Sequence, residues 1–385
     1  MPGWELIGEE ERNAVNDVFD RGGILYRYGF DKVRKNTFLV DELEKQIALR
    51  VKAKHALCVC NGTAALKASL IALGVKPGDE VITQSFTFIA TVEAIQDVGA
   101  IPIITEIDKS LNMDPKDLEK KITKKTKVII PVHMAGVPAK MNEIMSIAKK
   151  HNLKVLEDSA QALGATYKGK ECGTIGDMGI YSMDIGKVIT TGEGGVIVTN
   201  NSQLWKIAHE YSDHGHECNP NLPRGRDTRT IPGFNYKMME LQGAVGLAQL
   251  KKMDYILKKQ RENKKYIKDK LKTIKTIEFR ELPDEGDAGD TLIFFVESQG
   301  KALQVAKTLA EKGIGTKNLP DAIDWHYAGT WSHIFKEYPQ YKGNLEELWK
   351  QSTHLLRRAI ALPILVKMDD QQKNNIINAV TEALA

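Results

Sequence analysis

Between about residues 42 and 158 the chain repeats one pattern, a short β-type run followed by a stretch with helical spacing. DELEKQIALRVKA (41–53) has helical spacing, HALCVC (55–60) is a short apolar strand, and GTAALKASLIALG (62–74) is helical again. EVITQ (80–84), AIPIITEI (100–107), KVIIPVHM (127–134) and KVLED (154–158) read as further strands, with helices at 91–99 and near 140–150. Strands alternating with helices of this length predict an α/β fold with a mostly parallel central sheet covered on both faces. In such sheets ligands gather at the carboxyl ends of the strands.

A second region follows GFNYKMMELQGAVGLAQL near residue 250. Its long charged helix leads to TIEFRELP, TLIFFVES, a helix at 301–312, a polar loop over 313–345 and a closing helix at 369–385. The 385 residues suffice for two cores. The reading is a large domain over residues 1–250 and a smaller C-terminal α+β domain over 251–385, joined by a helix.

Composition removes several classes. The hydrophobic share is 42% and the charged share 27%, ordinary for a globular protein. A net charge of +4 is a mild bias. Lysines and acids alternate through 250-LKKMDYILKKQRENKKYIKDKLK-272, so the basic runs read as solvated helix faces and no nucleic-acid partner is expected. Cys58, Cys60, Cys172 and Cys218 form neither a disulfide framework nor paired CxxC motifs. MPGWELIGEEERN lacks a basic segment before an apolar core, and no run approaches 18 apolar residues. No membrane association and a cytoplasmic location are expected.

The chemistry concentrates in 181-YSMDIGKVITTGEGGVIVTN-200, where Lys187 stands between an apolar strand and a glycine turn at Gly192, Gly194 and Gly195. A lysine amine becomes a nucleophile when it loses its proton, and it is the usual Schiff-base former. An aldehyde cofactor there would need an anion site and an acid for its ring. Asn61-Gly62-Thr63 follows a strand and opens a helix, whose unpaired N–H groups suit a phosphate. Ser182 offers a further hydroxyl. Asp158 ends the strand KVLED, where a carboxylate would keep a pyridine nitrogen protonated and make the ring an electron sink. Phe86 and Phe88 offer flat faces. Each piece has an ordinary alternative: a helix start at Gly62 and Thr63, a helix cap at Asp158, core aromatics at Phe86 and Phe88. The Walker spacing is absent. Together the pieces read as a site for pyridoxal 5'-phosphate.

Their order along the chain resembles the DegT/DnrJ-type sugar aminotransferases, pyridoxal-phosphate enzymes of the aspartate aminotransferase (type I) fold. The similar segments are NGTAALKASLIALGVKPGDEVITQSFTFIATVEAI, PVHMAG, LEDSAQALGATYKGK, GTIGDMGIYSMDIGKVITTGEGGVIVTN and GFNYKMMELQGAVGLAQL, which span most of residues 55–250. The resemblance implies that Lys187 is the Schiff-base lysine and Asp158 the pyridinium partner. It implies that Gln161 bonds the ring hydroxyl, that Phe88 stacks on the ring, and that Gly62, Thr63 and Ser182 hold the phosphate. Asn235 would reach the phosphate of the neighbouring subunit's cofactor, which implies an obligate homodimer with shared sites. The implied reaction takes an amino group, from glutamate, to a keto sugar with ping-pong kinetics, in the synthesis of cell-surface polysaccharide or lipopolysaccharide. The family often has arginine where Lys237 stands, so any contact made there by a planar guanidinium is in doubt.

MPGWELIGEEE, YRYGF, SDHGHE (212–217) and DWHYAGTWSHIF (324–335) are similar to the branch that makes 8-amino-3,8-dideoxy-octulosonate (8-amino-Kdo) from an 8-keto sugar acid. A nucleotide-linked keto sugar is the alternative substrate. A branch that dehydrates sugars carries histidine in place of the lysine, and a regulatory protein would not need the intact lysine, acid and phosphate residues. His214, His216 and Cys218 lack a second cluster to complete a tetrahedral metal site, so no metal is expected. For an anionic substrate the candidate contacts are His214, Arg226, Arg229 and His326.

Overall fold

Strands whose side chains alternate between two apolar surroundings can be buried only in the middle of a layered fold, and the strand at residues 55–59 shows this directly. Ala56 and Cys58 join one hydrophobic core while Leu57 and Val59 join another. A computed structural model of the chain describes residues 2–384. Its central sheet has seven strands: β1 His55–Val59, β2 Glu80–Gln84, β3 Ile101–Thr105, β4 Thr126–Ile130, β5 Lys154–Asp158, β6 Met178–Ser182 and β7 Gly195–Thr199. The order across the sheet is β1-β7-β6-β5-β4-β2-β3. β7 runs antiparallel to both its neighbours, and the pairings β6-β5, β5-β4, β4-β2 and β2-β3 are parallel. The expected mostly parallel α/β sheet is therefore borne out.

The crossover helices include α1 Leu39–Val51, α2 Gly62–Ala72, α3 Ala90–Asp97, α4 Met141–His151 and α5 Ser202–Ser212. The start of α2 is set by Asn61, whose side-chain oxygen accepts the N–H of Ala64 at 2.8 Å. Val40, Leu43 and Ile47 of α1 pack with one face of the sheet, whereas Leu66 and Leu70 of α2 lie on the other.

Residue 250 lies inside a single 32-residue helix, α6 Glu240–Leu271. Its first half shares a core with α1 through Met253 and Ile256. Its last turns, at Ile267 and Leu271, join the core of a second sheet, β8 Glu278–Phe279, β9 Thr291–Phe295 and β10 Ala359–Pro363. This sheet is antiparallel, ordered β8-β9-β10. Helices α7 Gln299–Glu311 and α8 Asp370–Leu384 cover it.

The stretch 313–345 differs from the polar loop expected of it. Trp331, Phe335, Tyr341 and Trp349 form a buried aromatic cluster against Ile89, Val92 and Ile104. The Tyr341 hydroxyl accepts the N–H of Ile104 at 2.9 Å and donates to the carbonyl of Pro102 at 3.0 Å. It thereby occupies backbone groups that the edge strand β3 would otherwise leave open. Trp349 is 1% exposed, with ring centroids of Phe335 and Tyr341 at 5.6 and 5.5 Å. Trp349→Ala is expected to cost about 3–5 kcal/mol of stability, read as a lowered urea midpoint at an unchanged slope.

Candidate active site

The carboxyl ends of β1, β2, β4, β5 and β6 open onto one cavity of about 550 Å³. Because β7 runs the opposite way, its first residue, Gly195, arrives at the same edge. The turn after β6 presents Lys187. Asp184 accepts the N–H of Gly186 on its side chain at 2.8 Å and the N–H of Lys187 on its carbonyl at 3.1 Å. The turn therefore closes on itself and aims the lysine into the cavity, among whose lining residues it stands.

Burial disfavours the ammonium and lowers the pKa of Lys187 from the ordinary lysine value, while Asp184 works against the shift and Lys317 adds to it. The amine is thus easier to free of its proton than a surface lysine. Asp158 is buried at the end of β5, and burial raises its pKa above the ordinary carboxylate value. The Thr91 hydroxyl donates to one carboxyl oxygen at 2.8 Å and the Ala160 N–H to the other at 3.1 Å. Both bonds fix the orientation of the group before any ligand engages it. Gln161 accepts the N–H of Ala135 at 2.9 Å through its oxygen, which directs its NH₂ as the donor left for a ligand.

The turn Asn61-Gly62-Thr63 lines the same cavity. A Cβ at Gly62 would stand 3.2 Å from the Cβ of Ser182 and 3.4 Å from its Oγ. Glycine there leaves a cradle bounded by the start of α2 and the Ser182 hydroxyl, with the first-turn N–H groups turned outward. Phe88 forms a wall, stacked at 6.3 Å on Trp325 and 5.5 Å from His326. The segment carrying those two residues is pinned by N–H bonds from Thr87 to the His326 carbonyl and from Ile89 to the Trp325 carbonyl. His326 Nδ1–H donates to the Ala322 carbonyl at 2.8 Å, which leaves Nε2 as an acceptor. Burial first, with help from Lys187 and Lys317, lowers its pKa. These residues fit pyridoxal phosphate: a desolvated amine, a phosphate cradle, an oriented carboxyl and a flat aromatic wall line one cavity.

The model of the DegT/DnrJ/EryC1/StrS aminotransferase family matches residues 7–381. The chain belongs to that family. Among DegT-family relatives, it is 43% identical to GDP-perosamine synthase of Caulobacter vibrioides over 55% of this chain and 56% of that enzyme. It is 33% identical to the spore coat polysaccharide biosynthesis protein SpsC of Bacillus subtilis over 98% of this chain and 95% of that protein. The fold matches Spr1654 of Streptococcus pneumoniae in its pyridoxamine-phosphate form, with a TM-score of 0.85 and 25% identity over 98% of this chain and 96% of that one. The pyridoxal-phosphate form of the same protein matches at 0.84. The expected class, a pyridoxal-phosphate aminotransferase of aspartate-aminotransferase-like fold, is borne out.

Of the residues expected from sequence, Gly62, Thr63, Phe88, Asp158, Gln161, Ser182, Lys187 and His326 line the cavity of this DegT-family chain. His214, Arg226, Arg229 and Asn235 are exposed and do not. Arg229 instead reaches His216 Nε2 at 3.1 Å, and His216 bonds Asp227 through Nδ1, also at 3.1 Å. Lys237 sits where the family often has arginine and pairs with Asp213 at 2.5 Å, beside Arg224 at 2.6 Å. Burial pushes the Asp213 carboxyl up, but the bonds from Arg224 and Lys237 outweigh it and hold the pKa near 2. Thr91, Asp184, Asp290, Lys317 and Asn318 also line the cavity and were not singled out from the sequence.

The lowered pKa of Lys187 has a measurable sign. Cofactor capture needs the free amine, so its rate should rise with pH through a midpoint below the value of about 10.4 for an unperturbed lysine. Stopped-flow absorbance after adding pyridoxal phosphate to cofactor-free protein at stepped pH measures that midpoint. A midpoint at or above the free-lysine value would contradict the burial argument.

Proposed function

We propose that the protein transfers an amino group, with glutamate as donor, to a keto sugar in the synthesis of cell-surface polysaccharide or lipopolysaccharide, with 8-keto-Kdo as the acceptor. The observation that carries the reading is Lys187, its pKa lowered by burial, in one cavity with the oriented carboxyl of Asp158 and the cradle at Gly62. When bound, pyridoxal phosphate supplies a carbonyl that takes amines as imines and a ring that draws electrons from the carbon bearing them. Thr63, Ser182 and the N–H groups of the first turn of α2 hold the phosphate. Asp158 keeps the proton on the ring nitrogen, and the Gln161 NH₂ donates to the ring hydroxyl. With its amine free, Lys187 would serve as the general base toward the proton on the donor's Cα and as the general acid that returns a proton.

The resemblance of MPGWELIGEEE and of DWHYAGTWSHIF (324–335) to the sugar-acid branch supports that acceptor. A nucleotide-linked keto sugar is the second reading, favoured by the identity with GDP-perosamine synthase. Assays with 8-keto-Kdo and with nucleotide keto sugars, glutamate being the donor in both, separate them.

We also propose that residues 1–250 form the cofactor-binding unit and 251–385 the smaller unit, and that the working form is a cytoplasmic homodimer. Among the described residues no helix is long and apolar enough to cross a membrane. The exposed side chains of Phe30, Val33, Phe234 and Met239 lie in segments adjoining the loop of Asn235. The N–H of Glu240 bonds the carbonyl of Leu25, which ties two of those segments together. Exposed apolar side chains in these segments support an interface there. It fits the expectation that Asn235 serves a neighbour's site.

Lys187→Ala is expected to keep some cofactor through the phosphate cradle, lose the absorbance band of the lysine-linked form, and drop turnover by orders of magnitude. Near-normal transamination by that variant would sink the reading. For the shared site, Lys187→Ala and Asn235→Ala chains are mixed. A heterodimer then has one site with both lesions and one with neither, so part of the activity should return. No recovery in verified heterodimers of two inactive parents would remove the shared site.

A further inference from the structure

Two charged side chains in the cavity wall are given no ligand to hold in the reading above. Asp290 immediately precedes β9, and Lys317 lies in the segment bonded to β10, so both flank the smaller sheet. They form an ion pair whose side chains are 5% and 15% exposed, and both line the cavity that holds Lys187. The pair is not needed to hold its own backbone. The N–H of Lys317 already bonds the Ala361 carbonyl at 2.8 Å, the N–H of Ala361 bonds the Leu319 carbonyl at 3.1 Å, and the N–H of Ile364 bonds the Asp290 carbonyl at 3.0 Å. Buried ion pairs also add little stability over apolar packing, so stability alone is a weak reason for one here.

The charge balance of the cavity gives a better reason. Its lining acids are Asp158, Asp184, Glu193 and Asp290, against the lysines Lys187 and Lys317. A bound cofactor adds a phosphate and occupies the Lys187 amine. A carboxylate entering such a site without a cation to meet it would be repelled and stripped of water at once. Lys317 is the lysine left for that task. An ammonium has three N–H donors, and Asp290 takes one of them. Asp290 is itself held, accepting the Thr291 hydroxyl at 2.9 Å, so the ammonium is anchored before a ligand arrives. Resting on the aminotransferase reading, we propose that Lys317, positioned by Asp290, recognises the carboxylate of the substrate. An amino-acid donor and a sugar-acid acceptor each carry a carboxylate, at different distances from the reacting carbon, and either is a candidate for this contact.

Two unreactive probes separate the sources because neither carries an amine: glutarate for the donor, and Kdo for the sugar acid. Each is titrated by calorimetry into the cofactor-loaded holoenzyme. Lys317→Gln combined with Asp290→Asn replaces the pair by neutral groups of the same shape and avoids an orphaned buried acid. This double variant is expected to lose about tenfold or more in affinity for at least one probe, with its cofactor absorbance band and melting temperature close to native. Asp290→Asn alone keeps the cation and should bind the same probe within a few-fold of native. Lys317→Arg should recover part of the loss. Weakening confined to glutarate assigns Lys317 to the donor, weakening confined to Kdo to the acceptor, and weakening of both to a carboxylate site they share. Native-like affinity of the double variant for both probes, or failure of native holoenzyme to bind either, would overturn the proposal. A native protein that never forms the lysine-linked cofactor band would instead overturn the aminotransferase reading on which it rests.

Discussion

There is no room for a side chain between β7 and the turn after β1. A Cβ on Gly195 would stand 2.1 Å from the carbonyl oxygen of Asn61 and 2.9 Å from the N of Gly62. The first residue of an antiparallel strand is thus pressed against the turn that opens α2, while Ser182 closes on Gly62 from the other side. This contact of backbone with backbone limits the space beside Gly62 and Ser182. It also fixes where β6 ends, and hence where the Asp184 turn begins and Lys187 is delivered. Any side chain larger than hydrogen would have to move a backbone carbonyl at this edge, since overpacked sites relax by shifting backbone.

The electrostatics build on that rigid edge. Asp158 gives up water on burial, yet Thr91 and the Ala160 N–H already hold both its oxygens. A dipole arrangement paid for during folding needs no rearrangement when charge develops in the site, which is the economical way to stabilise a reacting group. Glu157, next to Asp158, has a different task. Its two oxygens accept the N–H groups of Gly173, Ile175 and Gly176 and face His133 Nε2 at 3.0 Å. It anchors the loop behind β5, so adjacent acids on one strand serve the cavity and the scaffold respectively, as alternation of side chains across a strand requires.

Much of this was legible in the chain because the topology rule converts strand ends into a location. Asp158 and Ser182 are the last residues of β5 and β6, and Gly62 opens the helix after β1, so recognising the strands places these residues at one edge. Thr91, Asp290 and Lys317 were hidden for the opposite reason. Each matters through a neighbour far along the chain, Asp158 standing 67 positions after Thr91 and Lys317 27 positions after Asp290. The strand Ala359–Pro363 was hidden as well, being five residues long and ending in proline. The start of α6 reads as helix although it carries Gly243 and Gly246, which lower helix propensity. They are glycines because a Cβ on the first would come within 2.7 Å of the backbone of Val40, and one on the second within 2.6 Å of the Leu43 side chain. Close packing of α6 on α1, rather than any turn, explains both.

Lys237 shows how far a family pattern transfers. A guanidinium offers a planar fork, whereas an ammonium is a compact point charge. Here the ammonium is buried and committed to Asp213, which Arg224 also engages, so this position serves the chain's own loop. The same loop leaves His214, Arg226 and Arg229 exposed and outside the cavity. Within one chain, the cation turned toward Lys187 comes from beside the smaller sheet and not from the arginine-bearing loop. Under the shared-site proposal, that loop and Asn235 would meet the cavity of a second subunit, and the two sources of positive charge would approach the substrate from different chains. Lys317 would then meet the substrate carboxylate, while the loop would meet other parts of the substrate. The division follows from where backbone bonds hold each group: Lys317 is tied to β10, and the loop is tied mainly to itself through Asp213 and Asp227.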